Sequence, residues 1–463
     1  MSVTDERFAR MKPFNAGMAG AVAADRVPRG PRWPTVLQSI ALVRFRHQFV
    51  PAMHRRYGDV FTVRIMPAGS ALVLFTRPEH VKEIFAGDPE VFHAGKGNAI
   101  LGPIMGEHSL LLQDGAEHRR ARKLLMPAFN GAALRGYEEL VAAIAEQEVA
   151  GWQPGVAFRS LDRMNALTLE VILRVVFGVT DEGRLARLRP LVYRTIDISP
   201  AVLLGWGYPW LQRFGPWKAT VENQRRLDEV IYAEIADRRA AADLAERTDV
   251  LSRLLTVGID DEGAGGGLRD EELRDQLVTL LLAGHETTAT ALAWSLHELA
   301  RDAGQLARAR EAALRDDAEG GDYLEAVLKE AMRLHPVIPM VVRHLMAPAT
   351  IGGIDLPRGA NVGASIIISH GRDDNFPDPA RFRPDRFLGG EVAANTWIPF
   401  GGGVRRCIGA GFSLMEGVVV LREVLRRFDL TLPLGVRERP KVRNITSVPR
   451  HGAQIVVTPR AGR

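Results

Sequence analysis

Apolar residues spaced three and four positions apart recur over most of the chain and predict a mainly helical protein. The pattern covers most of 117–255. It returns in a long helix over 270–302, which Asp270 and the two glutamates after it would begin. A further helix is predicted to end at Pro336, and the last one to start just after Cys407. No strand alternates with these helices in the way that a parallel α/β fold requires.

Strand signals are short and few. Alternating apolar residues over 60–65 and the run 72–75 predict a β-hairpin, with its turn at 67–70. The segment 347–400 is rich in Pro and Gly and predicts further small strands. The fold class predicted from these patterns is therefore mainly α with small β-sheets.

The Pro- and Arg-rich stretch 28–34 should stop any helix. We therefore expect residues 1–34 to form an N-terminal extension and 35–463 to form a single catalytic domain. With 46% hydrophobic and 25% charged residues, the chain has the composition of a globular protein and not of a fibrous or disordered one.

The formal net charge of +5 is too small to indicate a nucleic-acid-binding arm. No run of about 20 apolar residues predicts a membrane span. The chain has one cysteine, which excludes an internal disulfide and a zinc or iron–sulfur cluster held by several thiols. A reducing, cytoplasmic setting fits that count.

The cysteine lies in the segment Phe400-Gly401-Gly402-Gly403-Val404-Arg405-Arg406-Cys407-Ile408-Gly409. A lone cysteine is usually a small buried hydrophobic residue. Here three consecutive glycines would let the backbone approach something flat and bulky. Two arginines and the start of the next helix would stabilise a thiolate. The neighbours thus favour a functional thiolate over a packing residue.

This segment resembles the haem-binding loop of the cytochromes P450, Phe-Gly-x-Gly-x-Arg-x-Cys-x-Gly, at every fixed position. The resemblance extends over nearly all the chain beyond about residue 35. It implies the cytochrome P450 fold, with haem b between the long central helix and the cysteine loop. It also implies that Cys407 is the metal ligand, the axial thiolate on the haem iron. Phe400, Gly401 and Arg405 would bind the same cofactor, Arg405 through a haem propionate.

The segment Ala283-Gly284-His285-Glu286-Thr287-Thr288 lies inside the long helix between apolar stretches. A carboxylate and hydroxyls are unfavourable there unless they are used, and Gly284 would leave room for a ligand. Alternatively, a threonine bonded back to the helix backbone only bends the helix. The segment is similar to the oxygen-binding groove of the family. That similarity implies that Glu286 and Thr287 are the catalytic acid–alcohol pair that brings protons to O₂.

His118 and Arg122 are four residues apart and share one helix face. By itself the basic run 118–123 would be a solvated helix face. The family commonly has His-x-x-x-Arg here as a contact to a haem propionate, so the resemblance implies that role for both residues and, by its position, for Arg343. The remaining basic residues would lie on the cysteine side, where electron donors dock: Arg119, Arg120, Lys123 and Arg406.

Glu330 and Arg333 are three residues apart on a helix and would, taken alone, form a surface ion pair. The family has Glu-x-x-Arg in this place, completed by an arginine from a later loop such as Arg386. The resemblance implies a buried triad that steadies the cysteine loop.

A pocket for an apolar ligand is expected between 93–112, 180–220 and Val337–Val342, with Ala283 and Thr287 beside the haem. Each apolar residue of these segments could equally belong to the ordinary core.

These expectations describe a haem-thiolate monooxygenase that uses O₂ to hydroxylate an apolar small molecule. Because no reductase module is predicted in the chain, electrons would come from NAD(P)H through a separate ferredoxin or flavodoxin and its reductase. We expect a monomer. The alternatives are a peroxide-driven haem hydroxylase and a non-enzymatic haem sensor or ligand carrier. Glu286 and Thr287 argue against the first of these, since such enzymes typically lack the pair.

Overall fold

The structure is a computed structural model that describes residues 23, 26–66, 70–179, 181–196, 202, 209–257, 267–315, 317–390 and 392–460. Its α-helices are α1 (Thr35–Arg44), α2 (Arg46–Tyr57), α3 (Pro78–Ala86), α4 (Ala94–Gly97), α5 (Gly102–Met105), α6 (Gly115–Leu125), α7 (Gly131–Ala150), α8 (Ser160–Phe177), α9 (Glu182–Ile196), α10 (Gly215–Arg239), α11 (Val250–Thr256), α12 (Asp270–Arg301), α13 (Ala303–Leu314), α14 (Ala318–Leu334), α15 (Ile366–His370) and α16 (Ala410–Arg427). Short 3₁₀ turns cover Ala99–Leu101, Met126–Phe129, Pro209–Arg213, Leu244–Glu246, Pro384–Phe387 and Gly403–Arg405.

The strands are β1 (Val60–Ile65), β2 (Ser70–Phe75), β3 (Phe92–His93), β4 (Phe158–Arg159), β5 (Met340–Leu345), β6 (Ala349–Ile351), β7 (Ile354–Leu356), β8 (Asn361–Ser365), β9 (Phe428–Thr431), β10 (Pro440–Arg443), β11 (Thr446–Pro449) and β12 (Gln454–Pro459). The largest sheet has the order β1-β2-β8-β5-β3, and only β2 and β8 run parallel in it. A three-stranded sheet has the order β4-β12-β9, and β6-β7 and β10-β11 form two-stranded sheets. The prediction of a mainly helical fold with small sheets is confirmed.

α12 is the central helix, and α8 packs along it. Its first turn is closed by Glu272, whose carboxylate accepts a hydrogen bond from the backbone N–H of Arg269 at 2.9 Å. At its other end, the Asp302 carboxylate caps α13 by accepting from the N–H groups of Gly304 and Gln305. The predicted bounds of this helix, 270–302, therefore agree with the structure to one residue.

The predicted hairpin forms, with Val60 opposite Phe75 and Ile65 opposite Ser70. Positions 67–69 of its predicted turn lie outside the described residues. The expectation of strands across 347–400 is only partly right, since the strands of this segment end at Ser365. Proline lacks the N–H that a sheet ladder needs, so the Pro-rich remainder forms loops and short helical turns.

Three large clusters of buried apolar residues hold the elements together, and a fourth, small cluster contains Ile104 and Val202. The largest surrounds the central helix and includes Trp294 and much of α8. The other two large clusters lie on opposite faces of the five-stranded sheet, because alternate residues of β2 point to opposite sides: Val73 and Phe75 to one, Leu72 and Leu74 to the other. The sheet is thus buried on both faces, as is usual where a parallel pair lies inside it.

Candidate functional site

Cys407 is held in a tight loop just before helix α16. Its N–H donates to the carbonyl of Phe400 at 2.9 Å, and the N–H of Gly401 donates to the carbonyl of Ile398 at 3.1 Å. Gly401 and Gly403 have φ of 65° and 63°, a backbone conformation that favours glycine. The local sequence therefore fixes the position of the thiol through the backbone.

Two glycines of this loop make room for Phe85, a neighbour that the sequence did not reveal. A Cβ at Gly402 would lie 2.2 Å from the ring of Phe85, and a Cβ at Gly403 would lie 2.0 Å from the Phe85 carbonyl oxygen. These glycines thus allow close packing against α3. The sequence-based reason, approach to a flat ligand, does not account for these two positions.

The Cys407 thiol is accessible although protein atoms surround it on most sides, as for a group that faces an internal space. Burial raises the pKa of the Cys407 thiol, while the N–H of Gly409 and the charges of Arg122 and Arg406 lower it. Without a metal the thiol would therefore stay protonated near neutral pH. A bound metal cation would displace the proton and supply the missing counter-charge.

The central helix has an opening on one face. From Glu272 to Leu299 every residue is buried except Leu282, Ala283, Gly284 and Thr287. Ala283 and Thr287 are one turn apart and lie on the same face. The nearby hydroxyl of Thr288 is 3.0 Å from that of Ser413 in α16, the helix that follows Cys407. The opening therefore lies next to the point where the central helix contacts the cysteine segment.

Thr287 and Gly284 have local partners. The Thr287 hydroxyl donates to the carbonyl of Ala283 at 2.8 Å, the back-bonded geometry of the alternative interpretation. Because a hydroxyl has two lone pairs besides its proton, this bond leaves Thr287 able to accept a hydrogen bond in the opening. A Cβ at Gly284 would lie 2.9 Å from Cδ1 of Ile172 in α8, so this glycine also allows close packing of the two helices.

Glu286, the other member of the predicted pair, is buried and contacts the β10–β11 hairpin. Its Oε1 lies 3.5 Å from Nε of Arg443 and accepts a hydrogen bond from the Thr446 hydroxyl at 3.4 Å. The carboxylate therefore has a cationic partner in a region where an unpaired charge would be unfavourable. Arg443 is partly exposed, so this ion pair connects the helix interior with the protein surface.

Cationic side chains collect around a single carboxylate near the cysteine loop. Arg405 forms an ion pair with Asp114 and donates to the carbonyl of Leu110 at 3.0 Å. His118 is buried nearby, and burial together with Arg405 and Arg122 lowers its pKa to about 4. At neutral pH His118 is therefore an uncharged imidazole that can donate a hydrogen bond.

Arg343 completes this cluster. Its guanidinium is buried, and the one hydrogen bond described for its side chain goes to the carbonyl of Val342, at 3.0 Å. Burial and the charge of Arg405 lower the pKa of Arg343 to about 10. Asp114 is the one carboxylate described beside these cations. The cluster therefore has an excess of positive charge that can bind an anionic ligand. The thiol and the cationic cluster together fit a haem, which needs an axial ligand and partners for two propionates.

The predicted triad forms. Arg333 donates twice to the carboxylate of Glu330, at 2.7 and 2.9 Å, and Nε of Arg386 donates to the same carboxylate at 3.2 Å. Arg333 also donates to the carbonyl of His370 at 3.0 Å, and the imidazole of His370 accepts from the N–H of Ile398 at 2.9 Å. The triad thus reaches the cysteine loop through His370, which the sequence did not single out.

The basic residues predicted to form a docking face differ in their surroundings. Arg119, Lys123 and Arg406 are exposed. Arg120 is instead half-buried, in an ion pair with Glu272 at 3.0 Å and a hydrogen bond to the Gly267 carbonyl. Arg120 therefore joins α6 to the start of the central helix, and its place in the docking face stays a prediction.

The apolar pocket walls are partly visible. Ile104 and Val202 form a small buried cluster with Leu282, beside the opening in the central helix. Leu110, in contrast, packs in the main core. Within 180–220, residues 180, 197–201 and 203–208 lie outside the described residues.

Asp114 and Arg443 are the polar partners that sequence reasoning missed. Both meet the predicted residues only through packing of distant segments: Asp114 pairs with Arg405, and Arg443 pairs with Glu286. No short-range spacing could have indicated either pair.

Comparison with known proteins identifies relatives over almost the whole chain. A family model described as Cytochrome P450 matches residues 28–457. A protein of Mycobacterium tuberculosis named cytochrome P450 135A1 is 54% identical over 437 residues, which cover 94% of this chain and 96% of that protein. A protein of Mycobacterium bovis named cytochrome P450 135B1 is 42% identical over 434 residues, which cover 93% and 91%.

Two solved structures share the fold. The retinoic acid-bound cyanobacterial CYP120A1 has a TM-score of 0.81 at 23% identity, covering 94% of this chain and all of that chain. The haem domain of cytochrome P450DA has a TM-score of 0.79 at 24% identity, covering 96% and 98%. Among the described residues, no helix is both long and apolar enough to cross a membrane.

Proposed function

The chain belongs to the cytochrome P450 family of haem-thiolate monooxygenases, and from this premise we propose that it hydroxylates an apolar small molecule with electrons from NAD(P)H. The observation that carries the proposal is the accessible Cys407 thiol, joined through α16 to the opening in an otherwise buried central helix. We assign 35–463 to one catalytic domain.

Cys407 would bind the haem iron, and His118, Arg122, Arg343 and Arg405 would bind the propionates. Phe400 and Gly401 would shape the loop beneath the haem. When bound, the haem supplies the iron at which O₂ is reduced and one oxygen atom is transferred to substrate. The excess of cations around Asp114 supports the propionate assignment, since two further carboxylates would balance it.

Glu286 and Thr287 would deliver protons to O₂ in the opening of the central helix. Thr287 faces that opening, and Glu286 meets the partly exposed Arg443 behind it. A carboxylate in this place can take a proton from the surface side and pass it toward the hydroxyl. A positioned proton donor contributes typically 10²–10⁴-fold in rate.

The substrate is proposed to be apolar because Ile104, Val202 and Leu282 line the approach to the opening. The donor is proposed to be an acidic ferredoxin or flavodoxin with its own reductase, which would bind Arg119, Lys123 and Arg406 on the exposed cysteine side. We propose a monomer.

The alternatives remain a peroxide-driven haem hydroxylase and a non-enzymatic haem sensor or carrier. The Glu286–Arg443 ion pair favours the monooxygenase, since neither alternative needs a proton path from the surface.

The test begins with the purified, haem-loaded protein and its reduced carbon monoxide spectrum, which should show the absorption of a thiolate-ligated haem. A screen of apolar compounds for spectral binding, followed by turnover with NADH and a ferredoxin–reductase pair, should then yield a hydroxylated product. Turnover with hydrogen peroxide alone, or spectral binding without any turnover, would instead favour one of the alternatives.

A further inference from the structure

We propose that helix α1 and the preceding Trp33 bind the surface of a membrane that contains anionic lipid, lying in the interface without crossing it. The inference concerns how the protein is held in the cell and does not depend on the proposed reaction.

Helix α1 has its polar residues turned inward. Gln38 is 1% exposed, its amide donates to the carbonyls of Pro31 and Trp33, and its Oε1 accepts from the N–H of Arg64 at 2.8 Å. The Ser39 hydroxyl likewise accepts a hydrogen bond from the N–H of Met66 at 2.9 Å. The helix is therefore attached to the protein by polar contacts at Gln38 and Ser39 as well as by the packing of Ala41 and Leu42 against the core.

Its outward side is apolar. The large apolar residues of this segment are each 45–54% exposed: Trp33, Val36, Leu37, Ile40, Val43 and Phe45. Within the helix Val36, Leu37, Ile40 and Val43 follow the spacing of a single helical face. These are six of the 16 large apolar side chains exposed among the described residues, in 13 consecutive positions. A concentrated apolar patch of this kind marks an interaction site.

The charge around the patch decides which partner fits. Between Asp25 and Asp59 the chain has seven arginines and no acidic residue. Arg29 and Arg32 precede the helix, Arg44 ends it, and all three are exposed. A second copy of the chain would bring the same positive charge to the contact and be repelled. An anionic lipid surface would attract the arginines and take up the apolar side chains.

The geometry also limits the depth of binding. A helix of ten residues is about 15 Å long and cannot cross a hydrocarbon core of about 30 Å. Trp33 at one end of the helix suits the level of the lipid headgroups. The surface thus has the features of an interfacial helix.

The experiment is flotation of the full-length, haem-loaded protein with vesicles of phosphatidylcholine alone and with vesicles containing an equal part of phosphatidylglycerol. We expect binding to the mixed vesicles that weakens as salt is raised from 0.1 to 1 M, because screening lengths fall from about 10 to about 3 Å. Arg44→Gln should weaken binding about fivefold, the equivalent of about 1 kcal/mol for one arginine near the surface.

The apolar face is tested with Ile40→Glu and Leu37→Glu, each of which should reduce vesicle binding by about tenfold or more because a carboxylate must enter the interface of an anionic membrane. Val156→Glu is the matched control, since Val156 has the same exposed fraction as Leu37, 53%, and lies outside this segment. It should leave vesicle binding unchanged. An unaltered haem spectrum and unfolding midpoint show that the variants fold.

The proposal is overturned if the wild-type protein does not float with the mixed vesicles, or if Val156→Glu lowers binding as much as Ile40→Glu. It is also overturned if Ile40→Glu leaves vesicle binding intact but converts an oligomer to a monomer in sedimentation. That result would assign the face to a second copy of the chain.

Discussion

The imidazole of His370 accepts a hydrogen bond from the backbone N–H of Ile398 at 2.9 Å, directly before the cysteine loop. Burial lowers the pKa of His370 to about 3, with the charge of Arg333 adding to the effect. The ring is therefore neutral at ordinary pH, and the nitrogen facing Ile398 carries no proton. Because Arg333 also donates to the carbonyl of His370, this residue links the Glu330–Arg333 ion pair to the loop that holds Cys407.

Replacing His370 by Leu should reduce haem retention. The substitution leaves the N–H of Ile398 without its acceptor, and a buried unsatisfied donor costs about 1–3 kcal/mol. We expect a lower haem-to-protein ratio and a lower unfolding midpoint, measured by absorbance and by calorimetry.

His297→Leu is the control, because His297 is a buried histidine of the central helix for which no side-chain hydrogen bond is described. His370→Gln, whose side-chain oxygen can accept from Ile398, should recover part of the loss. Equal haem content in the Leu variant and the wild type would contradict a role for His370 in holding the loop.

Thr287→Ala should separate oxygen consumption from product formation. The hydroxyl of Thr287 faces the opening in the central helix, so its loss should let reduced oxygen leave as hydrogen peroxide. With a substrate found by screening, product per NADH should fall and peroxide per NADH should rise at unchanged haem content.

Thr288→Ala is the neighbouring control, since that hydroxyl is buried between Gly284 and Ser413. Thr288→Ala should form as much product per NADH as the wild type. If Thr287→Ala kept full coupling and changed only substrate affinity, Thr287 would be a pocket wall and its proton-delivery role would be wrong.

Charge reversal on the exposed cysteine side should slow electron transfer. Arg119→Glu combined with Lys123→Glu should lower the rate of reduction by an acidic ferredoxin, with a weaker salt dependence, because steering by opposite charge is lost. Spectral binding of substrate should be unchanged.

Arg120→Gln tests whether Arg120 belongs to the docking face. Because Arg120 pairs with Glu272, its replacement should lower the unfolding midpoint more than the rate of reduction. A large and selective fall in the reduction rate would place Arg120 on the docking face after all.

Acid should destabilise the protein through its buried histidines. Burial lowers the pKa of His285 from 6.5 to about 4. Between about pH 6.5 and pH 4 the unfolded chain therefore binds a proton that the folded chain does not, so the free energy of unfolding falls as the pH is lowered through this window.

His285→Gln should make the decline of the unfolding midpoint with falling pH shallower, and the exposed His451→Gln should leave it as in the wild type. Parallel curves for wild type and His285→Gln would show that His285 binds the same number of protons in the folded and the unfolded state, contrary to the prediction.

The features that the sequence predicted well depend on residues that lie close together within one helix or one loop. The long helix, its acidic start and the three-residue spacing of Glu330 and Arg333 depend on local geometry, and each has its predicted form. The glycine-rich loop before Cys407 is equally local, because its shape depends on backbone conformations that only certain residues adopt readily.

What the sequence could not predict arises from distant segments meeting in space. Phe85 fills the space beside Gly402 and Gly403, Asp114 neutralises Arg405, and Glu272 pairs with Arg120. Each of these contacts joins residues separated by more than 100 positions, so no periodicity or spacing in the chain encodes it. The local motif specifies which chemistry is present, and packing decides which charges remain available for it.

The four accessible positions of the central helix have a consequence for how such a protein can change over evolution. A substitution anywhere else between Glu272 and Leu299 alters tightly packed surroundings, and overpacking typically costs 1–3 kcal/mol. New substrate preferences could therefore arise with little loss of stability only at Leu282, Ala283, Gly284 or Thr287, and a side chain at Gly284 would first have to displace Cδ1 of Ile172. With Thr287 assigned to proton delivery in our proposal, Leu282 and Ala283 are the two positions of the helix that can change most readily. Diversification must then fall mainly to the loops facing it, and a mutant library aimed at 93–112 should yield more folded variants with altered selectivity than one aimed at the helix.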